Sequence, residues 1–345
     1  MTENMNDLNR RQKNILRAII GEFISSAAPV GSKNLKKSNN LKVSPATIRH
    51  IMNDLEERGY VFQPHTSAGR VPTDKAYRLY VNELISNDIL SIEQQEEVED
   101  SLRPYAVDVE SLLSTASSLL GEFTSELGVV IAPLILDGEL TGINLYSVAS
   151  QTVLVVLQLR EGFAKTIVLE IQSSLPSDVL EMISGKLNEK LAGLELREIR
   201  KTISQRCRDF TNESSGIVKL LIDSADRVFD FSENEKITYS GSANMLSKPE
   251  FSDPAKMRNL MKVLENEKKF IKQLQDTTNQ NGINITIGKE LDDPIISELS
   301  FVTSSYKFGH QIGILAVVGP TRMEYKKAIS IVNHTAKTLT ESFSK

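Results

Sequence analysis

Apolar residues recur at Leu8, Ile15, Leu16, Ile19, Ile20, Phe23 and Ile24, the spacing of one face of a helix over about 7–27. Pro29 and Gly31 break that pattern, and Ser32 can cap a second, short helix through "KNLKKSN". The stretch "SPATIRHIMNDLEERG" then predicts one bounded helix. Ser44 caps it, Pro45 stands at the first position where its missing N–H is not needed, and Gly59 supplies a left-handed end. Ile48, Ile51, Met52 and Leu55 make its apolar face, while Ala46, Thr47, Arg49, His50 and Asn53 make the other. "YVFQ" predicts a short strand, "PHTSAGRVP" a polar loop between Pro64 and Pro72, and a helix resumes from Thr73 or Asp74. Helix, short helix, turn, capped helix, strand and return is the order of a winged helix-turn-helix.

Beyond it the pattern changes twice. Residues 86–104 are acidic and predict a linker with a helical portion, followed by an amphipathic helix over 108–125. Four β-branched runs, "LGVVIAPLI", "LTGINLYSVAS", "QTVLVVLQLR" and "AKTIVLEI", predict strands, and 177–191 a helix. Two further strands, "ISELSFVTSSYKFG" and "QIGILAVVGP", precede a last helix over about 322–343. An antiparallel sheet with helices mainly on one side is the α+β expectation. Between 197 and 282 the strands give way to helices around "KITYSGSANML", one of them opened by Asp253 and Pro254 and carrying Met257, Leu260, Met261, Leu264, Ile271 and Leu274. The expected division is 1–85, the linker 86–104, a sheet domain of 105–196 with 283–345, and an α+β insert of 197–282.

Charge sharpens the first unit. The 345 residues carry a net charge of −5, yet Met1 to Ile85 hold 13 Lys and Arg against 8 Asp and Glu. A basic unit on an acidic chain is the asymmetry expected when one part meets a polyanion. A helix entering the major groove presents the residues of its N-terminal half to base edges. The candidate contacts to double-stranded DNA are therefore Ser44, Ala46, Thr47, Arg49, His50 and Asn53, with His65, Thr66, Ser67 and Arg70 in the loop. Arg49 is a long-reach donor, and Asn53 could bracket an adenine edge.

Catalytic patterns are missing from the sequence. His50, His65, His310 and His334 form no metal-ligand spacing, the Gly and Lys of "TIGKEL" lack phosphate-loop spacing, and there is no G-x-S-x-G. We expect no enzyme, no metal and no cofactor. The single cysteine, Cys207, cannot form an internal disulfide, which fits a reducing compartment. The opening residues do not resemble a signal peptide, and the apolar runs of about eight residues fall far short of a membrane span. A cytoplasmic protein is expected.

"PVGSKNL", "SPATIRHIMNDLEERGYVFQPHTSAGRVPTDKAYRLYV" and, far downstream, "YSGSANMLSKPEF" resemble the HrcA family of heat-inducible transcription repressors. One position departs from the family pattern as the motif is usually written: His50 follows "ATIR", where Asn is usual. The resemblance implies a winged helix, a GAF-like sheet domain and an inserted dimerisation domain. It also implies a homodimer on an inverted-repeat operator, the CIRCE element, upstream of chaperone genes, with the chaperonin GroEL keeping the repressor active. An alternative from the fold class is a GAF-like regulator whose DNA binding follows a small effector; fold alone does not choose between them.

Overall fold

Asn9 opens α1 (Arg10–Ser26) with a capping box, its side chain accepting from the Gln12 amide while Gln12 accepts from its own. After α2 (Ser32–Asn39) comes α3 (Pro45–Glu57), which buries Ile48, Ile51, Met52 and Leu55 against its neighbours. A small antiparallel hairpin of β1 (Val61–Phe62) and β2 (Val71–Pro72) follows, then α4 (Asp74–Leu79), which widens to π turns over Tyr80–Leu84. This computed structural model describes residues 8–39, 43–84, 90–105, 109–133, 138–160, 162–171, 174–210, 216–229, 237–279, 282–309 and 311–343. His310 lies outside them.

The acidic segment contains α5 (Ile92–Leu102), whose Val98 and Leu102 are buried. Next come α6 (Val109–Thr124) and β3 (Leu127–Ile131), then the meander β4 (Leu140–Ala149), β5 (Thr152–Leu159) and β6 (Ala164–Glu170). Four helices follow: α7 (Ser177–Leu191), α8 (Leu196–Arg206), α9 (Ile217–Asp223) and α10 (Ala225–Val228). The chain returns through β7 (Ile237–Ser240), α11 (Ser242–Leu246), α12 (Pro254–Glu265), α13 (Glu267–Asp276), β8 (Ile283–Ile287), β9 (Leu299–Phe308) and β10 (Gln311–Pro320). It closes with α14 (Tyr325–Ser342).

The architecture is mixed helix and antiparallel sheet, but the strands sort differently from the sequence expectation. One sheet has the order β7-β3-β10-β9-β8, and β4-β5-β6 form another. Of the four consecutive runs expected in the main sheet, only β3 joins it, between β10 and β7. The other three lay Leu145, Val155, Leu157 and Leu169 on Leu180, Ile183, Leu187 and Ile199 of their own helices, a separate core. β7, α12 and α13, expected in the insert, instead belong with the five-stranded sheet. Apolar β-branched runs make strands without naming partners; the helices that cover each face decide the pairing. Helices also cover both faces rather than mainly one. α6 and α14 share one core with Val302, Tyr306, Leu315 and Val317, while α12 and α13 bury Phe301, Ala316 and Val318 on the reverse. Doubly covered strands lose alternation, and β9 is buried along nearly its whole length.

On the three-stranded sheet the face turned from its helices carries Tyr146, Leu154 and Val168 side by side, with Tyr146 53% and Val168 57% exposed.

The first unit is packed on the five-stranded sheet. A single core runs from Ile15, Ile48 and Tyr77 to Val302, Tyr325 and Val332, and the Tyr77 and Tyr325 rings lie 5.8 Å apart. Polar contacts frame that junction. Arg78 donates to Glu290 at 2.8 Å and to the Ile285 carbonyl at 2.6 Å, and Arg322 pairs with Glu250 while donating to the Ile24 carbonyl at 2.9 Å.

The downstream motif "YSGSANMLSKPEF" explains itself here, because it supplies β7, Gly241, Lys248 and Glu250 at one place. Lys248 Nζ meets Glu126 Oε1 at 2.5 Å, with the Glu126 side chain only 3% exposed and Oε2 unbonded. Burial pushes the Glu126 carboxyl up to about 7 even against the pull of Lys248. Close approach of backbone fixes the surroundings: a Cβ on Gly128 would lie 2.3 Å from the Ser117 carbonyl oxygen of α6 and 2.6 Å from Gly121 N.

Candidate nucleic-acid interface

Ser44 has extended φ/ψ, and its hydroxyl accepts from the Thr47 amide at 3.1 Å, so the start of α3 is fixed by its own sequence. With the apolar stripe buried, Ala46, Arg49, His50 and Asn53 are all exposed, and Thr47 is half-buried within 2.9 Å of the Ser44 hydroxyl. The expected face is therefore present as a surface. At the other end of α3, Arg58 donates to Asp54 at 3.1 Å and holds that carboxyl below its usual range. Gln12 of α1 also bonds Asp54, which ties the two helices together.

The hairpin loop is a built structure. Gln63 Nε2 donates to the carbonyls of Thr66 at 2.9 Å and Ala68 at 2.8 Å, and the Ala68 amide closes a turn onto His65 O at 2.8 Å. His65, Thr66 and Ser67 stand exposed at the tip. Arg70 is placed differently from them. Its backbone pairs with Val30 through two 2.9 Å bonds, and its side chain, 13% exposed, meets Glu56 at 2.7 Å and Asn53 Oδ1 at 2.9 Å. The structure thus brings Asn53 and Arg70 into contact.

Several residues of this surface escape sequence reasoning. Lys33, Lys36 and Lys37 are exposed on α2, which packs against α3 and buries only Leu35 of its own apolar residues. Their signal was the lone leucine in a basic run, which leaves most of the helix to solvent. Glu56 and Gln63 gave no signal, since their partners become near only once the hairpin folds back. Gly69 lies so close to the α1–α2 turn that a Cβ would sit 2.4 Å from Val30 C and 2.5 Å from Val30 O. Both sides of that contact are backbone. We therefore expect Gly69→Ala to lower stability by about 1–3 kcal/mol through overpacking. Thermal melting checks this, and an unchanged midpoint would mean the hairpin has room to shift.

Among the described residues no group of His, Cys, Asp or Glu is gathered to hold a metal, and no helix is long and apolar enough to cross a membrane. What the surface offers is donors: Arg49 and Asn53 on α3, hydroxyls at the hairpin tip, and lysines on α2. Such a set suits phosphate and base edges.

Comparison with known proteins bears on the whole chain. The sequence profile of the HrcA protein C terminal domain matches residues 110–329. The heat-inducible transcription repressor HrcA of Chlorobium phaeobacteroides (strain BS1) is 34% identical over 349 positions, covering 98% of this chain and 99% of that one. Its counterpart in Geobacter sulfurreducens is 36% identical over 340 positions, covering 96% and 97%. A crystal structure of a protein described as hypothetical superposes with a TM-score of 0.68 at 25% identity, over 99% of both chains. With the profile spanning most of the chain and full-length relatives reaching through α3 and its hairpin, this chain belongs to the HrcA family of heat-inducible transcription repressors.

Proposed function

We propose that the chain is a DNA-binding repressor of chaperone operons that reads an inverted-repeat, CIRCE-like operator as a homodimer. The observation that carries the reading is α3: a capped helix with a buried stripe and an exposed Ala46, Arg49, His50 and Asn53 face, beside a hairpin in a basic unit. In this reading the first unit is a winged helix-turn-helix. Thr47 and Arg49 meet base edges or phosphate at the N-terminal end of α3, and His65, Thr66 and Ser67 follow the backbone from the hairpin tip. The lysines of α2 add counterion release. The five-stranded sheet is the GAF-like part of the body. The apolar face of Tyr146, Leu154 and Val168 supports pairing with a second copy, which gives two readers for a two-fold operator. The resemblance supplies the remaining element, a chaperonin, GroEL, that keeps the repressor in its active form.

Footprinting on promoter DNA of the host's own chaperone genes tests this reading. The expected result is protection of two half-sites related by a two-fold axis, a whole number of helical turns apart. Arg49→Ala should weaken binding to that site by about 1–3 kcal/mol if Arg49 reads a base, with a much smaller loss on unrelated duplex. Equal losses on every sequence would remove Arg49 from base reading, and no protected site would remove the function.

A further inference from the structure

Arg70 is the loop cation from which a backbone contact would be expected, yet its guanidinium is already engaged. Nη2 lies 2.9 Å from Asn53 and 2.7 Å from Glu56 Oε2, and the arginine backbone is pinned to Val30 on both its N–H and its carbonyl. A guanidinium donates and never accepts. The Asn53 atom facing it must therefore be the oxygen, so chemistry fixes the orientation of an amide that is otherwise ambiguous. Glu56 takes a second bond and offsets the charge. Asn53 itself is exposed on the base-facing side of α3, with its NH2 group turned away from Arg70.

We propose that Arg70 is a positioning residue that holds the Asn53 amide so that its NH2 group donates to an acceptor on a base edge. The acceptors available in the major groove are a purine N7, guanine O6 or thymine O4. A bidentate bracket on adenine would use the second lone pair of the Asn53 oxygen, beside the one that accepts from Arg70. Because Glu56 neutralises Arg70, the arginine releases few counterions, and removing both charges together leaves the salt dependence of binding in place. This inference rests on α3 being the base-reading helix.

The test selects a randomised duplex library with wild-type protein, Arg70→Met, Asn53→Ala and the double variant, sequencing bound and free pools at several salt concentrations. Wild type should show a preference at the base pair that Asn53 reads, and Arg70→Met and Asn53→Ala should each lower it about tenfold, close to 1.4 kcal/mol. In the Asn53→Ala background, Arg70→Met should change it no further, and Arg70→Met combined with Glu56→Gln, which removes both charges, should keep the wild-type slope of log K against log salt. A uniform loss across all sequences with the slope reduced by about one would make Arg70 a phosphate contact and overturn the proposal. Additive losses in the double variant would also overturn it. Should Arg70→Met fail to fold, Glu56→Gln serves instead. It keeps the Arg70–Asn53 bond and unmasks the charge, so the preference should persist while the slope steepens by about one; a lost preference with an unchanged slope counts against the assignment. A wild-type protein that selects no sequence defeats the DNA reading itself, whereas selection by wild type with any of the contrary variant results defeats this proposal alone.

Discussion

Replacing Lys248 by Met is expected to cost about 2 kcal/mol near pH 8 and only about 1 kcal/mol near pH 5. The pair it breaks is buried: Glu126 Oε1 lies 2.5 Å from Lys248 Nζ, and its other oxygen has no partner. Burial outweighs the lysine, so the folded carboxyl sits at about 7 against an ordinary 4.5. Below about 4.5 the group is protonated in both states and contributes no pH dependence. Between that value and about 7 the folded chain binds more protons than the unfolded one, so this group lowers stability as pH rises, by roughly 3 kcal/mol in total. Above 7 the folded carboxylate is charged and depends on Lys248. Without the lysine the buried carboxyl takes up a proton instead, which at pH 8 costs at most about 1.4 kcal/mol beyond the missing hydrogen bond; near pH 5 it is already neutral and only the hydrogen bond is missing. Urea melts of both proteins at the two pH values would decide the matter. An equal loss at both would acquit Glu126, and adding Glu126→Gln to Lys248→Met should restore most of the stability lost near pH 8.

A comparable loss is expected from one methyl group. Gly128→Ala would place a Cβ 2.3 Å from Ser117 O, 2.6 Å from Gly121 N and 2.7 Å from Leu120 Cβ, all on α6. Backbone meets backbone there, so the strain cannot be relieved by a rotamer, and α6 must lift off β3. The expected cost is about 3 kcal/mol, the upper end for overpacking, or a fall in melting temperature of about 4 °C. Gly185→Ala on α7 is the control, since nothing lies within 4 Å of its added Cβ. That substitution should be neutral or should stabilise by about 0.5–1 kcal/mol through helix propensity. If the two variants melt alike, close helix–sheet approach is not what Gly128 provides.

The legible parts of the molecule are those whose determinants lie next to one another in the chain. Ser44, Pro45 and the spacing of Ile48, Ile51, Met52 and Leu55 suffice for α3, its start and its exposed face, because capping and amphipathicity act within a few residues. Gly59, at φ +74°, ends that helix as its position suggests. Strand existence was legible in the same way, but strand partnership was not. β3 pairs with β10 and β7, and nothing local in "LGVVI" separates it from "TVLVVLQL", which pairs elsewhere. The role of Arg70 was hidden for the same reason. Its sign is local, whereas Glu56 and Asn53 reach it only when the hairpin folds back on α3. Glu126 and Lys248 stand on segments far apart in sequence, and neither looks unusual until burial joins them.

The shared core beneath Tyr77 and Tyr325 has a consequence for how heat is felt. Where two units each close their own core, one can melt while the other keeps working. Here the apolar residues of α1, α3 and α4 run without a seam into those of α6, α14 and the sheet, and Arg78 and Arg322 close the rim. α3 therefore has no melting point separate from the sheet on which its unit is packed. Cooperativity of this kind ties the outward face of α3 to the body, and that face is lost when the body loosens.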